Sequence, residues 1–91
     1  MKSDYLIYHD SFTACATEAR RVAESQGYQV CETNWQTEIC FNGKYPRARP
    51  AVGAVHRFTV ALEKNGRPQR KALSFQVYGM ETCFELNAYV N

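Results

Sequence analysis

The fold is decided by the last stretch of the chain, "KALSFQVYGMETCFELNAYVN" (residues 71–91). Apolar and polar residues alternate on both sides of "GMET" (79–82), and a period of two is typical of β-strands with one buried face. We therefore predict a hairpin that turns at residues 79–82. Its apolar alternates are predicted to form one buried face: Leu73, Phe75, Val77, Phe84, Leu86, Ala88 and Val90.

A second hairpin is predicted just before the first one. The segment 54–63, "AVHRFTVALE", alternates in the same way, and the Asn-Gly pair at 65–66 tolerates positive φ, which favours a tight turn. Because Pro68 cannot donate a hydrogen bond to a strand ladder, we expect a four-residue loop instead of a two-residue one. That loop would place Phe58 opposite Phe75.

A helix is predicted over residues 11–26, "SFTACATEARRVAESQ". Apolar residues recur there at steps of three and four, which places them on one stripe of the helix. Asp10 or Ser11 can cap the first turn with a side-chain oxygen, and Gly27 stands where a helix ends in the left-handed conformation. The stripe consists of Phe12, Cys15, Ala16, Ala19, Val22 and Ala23.

Residues 28–41 are predicted to be extended, because "YQVCET" alternates again. Asn34-Trp35 is then either a turn between two strands or a bend in one long strand. "DYLIYH" (4–9) is predicted to be a short first strand. The order (β)-α-β-(β)-β-β-β indicates an α+β fold, with a single N-terminal helix packed on one face of an antiparallel sheet of about four or five strands.

Length and composition suit one domain. The chain has 91 residues, 45% of them hydrophobic, which fits a single globular domain over residues 1–91. No apolar run approaches the roughly 18–20 residues of a membrane span. The apolar patch from Tyr5 to Tyr8 is too short for the core of a signal peptide, so we expect a cytoplasmic protein that does not bind membranes.

The net charge of +2 conceals a strong segregation along the chain. Residues 43–71 hold eight basic side chains and one acidic one, a net charge of +7, whereas residues 1–42 carry −3 and residues 72–91 carry −2. Segregated charge creates a local field that attracts an anionic partner. The basic side chains also lie in a predicted loop and a predicted hairpin tip, where charge commonly serves solubility alone.

Two groups of side chains are candidate binding residues. The basic stretch is rich in arginine, whose planar guanidinium matches phosphate and carboxylate oxygens, and the polar alternates of the last hairpin include tyrosines that suit interfaces or base stacking. Trp35 is a further aromatic candidate. The basic group is Lys44, Tyr45, Arg47, Arg49, Arg57, Arg67, Arg70 and Lys71, and the polar group is Gln76, Tyr78, Glu85, Asn87 and Tyr89.

No catalytic residue, cofactor or metal is expected. The sequence contains no Gly-rich phosphate loop, no His-Glu-x-x-His and no Gly-x-Ser-x-Gly motif. The four cysteines, Cys15, Cys31, Cys40 and Cys83, include no Cys-x-x-Cys pair, so we expect small buried apolar residues and not metal ligands.

The whole chain resembles the small accessory proteins of phages and plasmids, a class that includes the anti-CRISPR inhibitors. The likeness lies in its size, one helix on a small antiparallel sheet, segregated charge and the ending at 71–91. Many such inhibitors are strongly acidic mimics of nucleic acids, and this chain departs from that pattern. The resemblance implies an inhibitor that blocks a host defence or nucleic-acid-processing complex by protein–protein contact.

The sequence thus favours a non-enzymatic binding module whose partner is a protein or a ribonucleoprotein complex. One alternative is a protein that binds DNA or RNA directly through the basic segment 43–71. Another is a homo-oligomeric structural protein, for example a homodimer joined through an exposed edge strand such as residues 84–90.

Overall fold

The structure, a computed structural model, describes residues 5–9, 11–40 and 52–91. In these ranges the chain forms β1 (Tyr5–His9), α1 (Phe12–Ser25), β2 (Gln29–Val30), α2 (Glu32–Glu38), β3 (Val55–Lys64), β4 (Arg67–Gly79) and β5 (Phe84–Val90). The strands make one antiparallel sheet in the order β1-β5-β4-β3-β2, and α1 packs against β4 and β5. The predicted α+β class is confirmed.

Helix α1 matches its prediction closely. The Oγ of Ser11 accepts a hydrogen bond from the backbone N–H of Ala14 at 3.1 Å, which caps the first turn. Gly27 follows the helix with φ +89°, the left-handed conformation that terminates helices. Every residue of the predicted apolar stripe is buried. Because most of these residues are small, α1 can approach the sheet closely.

The last hairpin forms with the predicted buried face, but its turn contains residues 80–83 and not 79–82, because Gly79 pairs with Phe84. Phe75 lies opposite Ala88, Val77 lies opposite Leu86, and the backbone N–H of Met80 donates to the carbonyl of Cys83 at 3.0 Å to close the turn. All of the predicted apolar alternates of β4 and β5 are buried, with at most 5% of their surface exposed. These residues form the sheet side of the core.

The β3–β4 hairpin confirms the predicted register and corrects the predicted loop. Phe58 does lie opposite Phe75, but Lys64 pairs with Arg67, so the turn contains only residues 65–66. Their φ values of +53° and +76° are those of the tight hairpin turn that Asn-Gly favours. The register is retained because β4 contains extra residues at an irregularity in the pairing, where residues 69–71 lie opposite Leu62.

The prediction of extended structure over residues 28–41 is confirmed only at the very short β2 and is wrong at residues 32–38, which form helix α2; residue 41 lies outside the described residues. Asn34-Trp35 is therefore neither a turn nor a bend but part of a helix. The side-chain Oδ1 of Asn34 accepts a hydrogen bond from the N–H of Ala61 at 2.7 Å, which fastens α2 to the edge of β3. Trp35 is 1% exposed and its ring stacks on Phe75 with 6.2 Å between centroids, so it is a core residue and not a binding residue.

Arg20 joins the two helices on the side of the core away from the sheet. Its guanidinium forms ion pairs with Glu24, at 3.6 Å, and with Glu32 of α2. It also lies 5.2 Å from the centroid of the Trp35 ring, a cation–π arrangement. These contacts hold α2 over the core.

The cysteines differ in their environments. Cys15 lies on the buried stripe of α1 and is 0% exposed, and this burial raises the pKa of its thiol to about 11. Cys31, Cys40 and Cys83 are partly exposed, so the expectation of burial was wrong for them. Neither helix in the described part of the chain has the length and apolar character needed to cross a bilayer.

Candidate binding site on the open sheet face

The side of the sheet away from α1 carries a continuous polar surface, which we call the open face. Both helices lie on the opposite side, α1 against β4 and β5 and α2 through the stacking of Trp35 on Phe75. Alternation along the strands directs one set of side chains to the core and the other set to the open face. The polar side chains of the open face on β3, β4 and β5 are Arg57, Thr59, Ser74, Gln76, Tyr78, Glu85, Asn87 and Tyr89, and Val55, Ala61 and Ala72 lie on the same face.

Strand register brings these residues together in rows across the sheet. Gln76 lies between Arg57 and Asn87, and Ser74 lies between Thr59 and Tyr89. Tyr78 lies opposite Glu85 in the next row. Six of the candidate binding residues therefore share one surface: Arg57, Gln76, Tyr78, Glu85, Asn87 and Tyr89.

A hollow of about 170 Å³ lies within the open face, centred on the two rows that contain Ser74 and Gln76. It forms because the short side chain of Ser74 is surrounded by larger neighbours. Its volume is below the roughly 300–1,000 Å³ of typical small-molecule pockets and suits a single amino-acid side chain. Its walls are Arg57, Thr59, Ser74, Gln76, Asn87 and Tyr89, and Phe58 and Phe75, whose rings stack together on the core side of the sheet, also belong to its floor.

Two polar side chains at the hollow lack a hydrogen-bond or ion-pair partner among the described residues. The Oδ1 of Asn87 is buried and accepts no hydrogen bond from the described residues. The guanidinium of Arg57 is exposed, and no described carboxylate lies within 4.0 Å of it. A buried polar atom without a partner costs about 1–3 kcal/mol. The hollow therefore offers the guanidinium of Arg57 as a donor to an incoming group.

Tyr8 extends the open face onto β1, and the candidate residues did not include it. It lies opposite Glu85 and is 55% exposed. The Glu85 carboxylate accepts a hydrogen bond from the Tyr8 hydroxyl, which raises the pKa of Tyr8. Glu85 thus sits between Tyr8 on one side and Tyr78 on the other. The alternation of residues 4–9 was visible in the sequence, but the pairing of β1 with β5 was not.

A second, more apolar hollow lies at the β4–β5 turn, at one end of the open face. Its volume is about 380 Å³, and Tyr78 belongs to it. Val52 and Met80 line it and remain 65% and 37% exposed. The remaining lining residues are Gly79, Glu81, Thr82 and Cys83.

The basic candidate residues do not all reach this surface. Arg67, Arg70 and Lys71 are exposed near the tip of the β3–β4 hairpin. Lys44, Tyr45, Arg47 and Arg49 lie outside the described residues, so a single basic patch of loop and tip stays a prediction. The described end of that loop lies beside Gly79, where the N–H of Gly53 donates to the Gly79 carbonyl at 2.8 Å, and this is the end of β3 opposite the hairpin tip.

The open face combines tyrosine rings with one guanidinium, one carboxylate and several amide and hydroxyl groups, which can form hydrogen bonds and ring contacts. Within residues 5–9, 11–40 and 52–91, no three His, Cys, Asp or Glu side chains are grouped as metal ligands. Comparisons with protein-family models, curated proteins and solved structures gave no match.

Proposed function

We propose that this protein is a non-enzymatic binding module that engages a polypeptide partner through the open face. The observation that carries the proposal is the hollow, which has the volume of one side chain and is lined by Arg57, whose guanidinium has no described carboxylate within 4.0 Å. A polypeptide can supply an acceptor to the Arg57 guanidinium, since each peptide unit has one C=O acceptor.

The tyrosines support the same proposal. Tyr78 and Tyr89 are half-buried at two corners of the open face, and Tyr8 is exposed in the same row as Tyr78. Tyrosine is enriched at protein interfaces because it offers a large rigid ring and one polar group. Tyr89 lines the hollow itself, and Tyr78 and Tyr8 extend the tyrosine surface into another row of the open face.

We further propose that the module acts by occlusion, as its resemblance to phage and plasmid accessory proteins implies. It would cover a surface on a host defence or nucleic-acid-processing complex, in the cytoplasm, and catalyse nothing. The partner is then a protein or the protein part of a ribonucleoprotein.

Site-specific photo-crosslinking tests the proposal. Gln76 is replaced by the photoreactive residue p-benzoylphenylalanine, and the protein is irradiated in a nuclease-treated bacterial lysate. The same residue placed at Thr17, on the exposed side of α1, is the control. We expect a discrete adduct with another protein from position 76 and none from position 17, because only position 76 lies on the open face.

Two variants make the test specific. Ser74→Leu fills the hollow and should abolish the adduct, whereas Thr17→Leu adds the same bulk on α1 and should leave it intact. Equal adducts from positions 76 and 17 would contradict the proposal. An adduct with twice the mass of the chain would instead identify the homodimer.

A further inference from the structure

The first part of β3 forms an edge of the sheet that no described strand covers. Strand β2 pairs only with Leu62 and Glu63, so residues 55–60 have β4 as their one described neighbouring strand. We call residues 55–60 the open edge. The edge strand predicted at residues 84–90 is wrong, because β5 lies between β1 and β4.

The backbone groups of every second residue point out of the open edge. The N–H of Ala61 donates to the Oδ1 of Asn34 at 2.7 Å, and the carbonyl of Ala61 accepts from the N–H of Cys31 at 2.9 Å. Both groups of Ala61 therefore point away from β4. Because this direction alternates along a strand, three residues of the open edge point the same way: Val55, Arg57 and Thr59.

These outward groups are unpaired within the described chain. Neither β2 nor any turn or loop in residues 5–9, 11–40 and 52–91 bonds to the backbone of Val55, Arg57 or Thr59 on the outer side. Each residue offers one N–H donor and one carbonyl acceptor, spread along about 13 Å of extended backbone. An unpaired row of this kind is a template for the addition of a further strand.

We propose that an extended segment of a polypeptide partner adds to the open edge as an antiparallel strand, with an acidic residue opposite Arg57. The proposal rests on the proposed function and names the mode of binding. An extended backbone supplies N–H and carbonyl groups that alternate at the spacing of the edge. Arg57 and Thr59 belong both to the edge and to the wall of the hollow, so the added strand extends the open face.

The charge of β3 specifies one side chain of the added strand. Residues that lie opposite each other on neighbouring strands are on the same face of the sheet, so the residue opposite Arg57 lies on the open face. The Arg57 guanidinium is exposed and has no described carboxylate within 4.0 Å. An aspartate or glutamate at the opposite position supplies that carboxylate and continues the row of Arg57, Gln76 and Asn87.

The core side of β3 specifies a second side chain. Phe58 is only partly buried, although its ring packs edge-to-face on Phe12 with 5.6 Å between centroids and stacks on Phe75. The residue opposite Phe58 on the added strand lies on this core side. An apolar residue there covers the part of the Phe58 ring that remains exposed and removes it from water.

The open edge is unsuited to a second copy of this chain. When two identical edges pair antiparallel about a two-fold axis, all three outward residues are used only if Arg57 lies opposite Arg57. Like charges directly opposite each other are destabilising. A register shifted toward the hairpin tip needs Ala61, whose backbone groups are already bonded to Asn34 and Cys31. We therefore assign the edge to a different polypeptide.

NMR titration of the isotope-labelled full chain with a synthetic peptide tests the proposal. The probe is acetyl-Thr-Val-Glu-Val-Thr-amide, and the comparison peptide has lysine in place of glutamate. We expect the amide signals of Val55, Arg57 and Thr59 to shift and their hydrogen exchange to slow when the glutamate peptide binds. The glutamate peptide should bind about fivefold more tightly than the lysine peptide, because only glutamate pairs with Arg57.

Charge reversal is the matched control. Arg57→Glu should reverse the preference in favour of the lysine peptide, whereas Arg21→Glu, at an exposed position of α1, should leave it unchanged. Thr59→Pro removes one outward N–H, which an edge strand tolerates, and should weaken binding of the glutamate peptide about tenfold. Circular dichroism checks that each variant is folded.

Two results would overturn the proposal: no shift of the edge amides at millimolar peptide, or a preference that Arg57→Glu leaves unchanged. The crosslink at position 76 separates this failure from that of the proposed function. If folded Thr59→Pro keeps the adduct, the open face binds a polypeptide without an added strand, and only the present proposal is wrong. If position 76 gives no adduct but the edge amides respond to the glutamate peptide, the added strand is supported and the proposed function of the open face is wrong.

Discussion

Phe75 is the residue on which the core and the open face both depend. It is 2% exposed, and its ring stacks with Phe58 at 4.9 Å and with Trp35 at 6.2 Å between centroids. Its backbone neighbours Ser74 and Gln76 point the other way, into the wall of the hollow. The residue thus holds a helix, two strands and the floor of the candidate site together.

Replacing Phe75 by alanine should lower the free energy of unfolding by roughly 3–5 kcal/mol, because it removes a large buried ring and leaves a cavity. Urea unfolding followed by circular dichroism would measure the loss. Ser74→Ala is the control, since the change is small and lies on the open face, and it should stay within about 0.5 kcal/mol. Similar stabilities for the two variants would show that the assignment of faces is wrong.

For single residues, the sequence predicts which side of the sheet a side chain faces, but it does not predict which residues of other strands lie beside it. Alternation along residues 71–91 predicts which side chains face the core, because one strand needs no other information to do so. The hollow forms where Arg57, Ser74 and Asn87 of three different strands lie close together. This proximity cannot be predicted from the positions of the three residues in the sequence. Tyr8 was missed for the same reason.

At the scale of elements, α2 shows how a short segment can carry two patterns at once. Tyr28 and Val30 alternate as in a strand, but Cys31, Trp35 and Ile39 recur at steps of four, as on a helix stripe. The backbone N–H of Trp35 donates to Cys31 at 2.8 Å and that of Ile39 donates to Trp35 at 2.9 Å. Burial of the Trp35 ring against the sheet favours the helix over the strand.

The tight turn of the β3–β4 hairpin gives a prediction at the same scale. Gly66 has φ +76°, and a Cβ atom placed there would meet no atom within 4 Å, so Gly66→Ala should cost only the backbone penalty of about 1–2 kcal/mol. Thermal unfolding would measure it. Asn65→Gly is the control and should change the stability little, because glycine adopts the φ of +53° freely. A neutral Gly66→Ala variant would contradict the two-residue turn.

At the scale of the whole molecule, both helices and the sheet share one core. Residues of α1, α2 and the strands from β2 to β5 belong to a single buried cluster. The order of strands in the sheet could not be predicted from the sequence, because the edge strand β1 pairs with β5 although the two lie at opposite ends of the chain. Alternation predicts which residues face the core, and turn residues predict which neighbouring strands form hairpins. Neither pattern predicts which strand from a distant part of the sequence occupies the edge of the sheet.

A shared core should make unfolding cooperative. Trp35 is the only tryptophan of the chain and is 1% exposed, so its fluorescence reports whether α2 is docked. We expect the fluorescence and circular dichroism transitions to coincide in urea, as for a two-state domain. Arg20→Ala, which removes the link between the helices, should shift both curves together. A fluorescence transition at lower urea than the circular dichroism transition would show that α2 detaches first.

The division of β4 into inward and outward residues also bears on how this protein can evolve. Leu73, Phe75 and Val77 point into the core and maintain the fold, while Ser74, Gln76 and Tyr78 lie on the opposite face of the same strand. Mutations in the outward set can therefore accumulate under selection from a changing partner while the fold is preserved. The outward residues of β4 can therefore be substituted, in evolution or in a mutant library, without a change of fold.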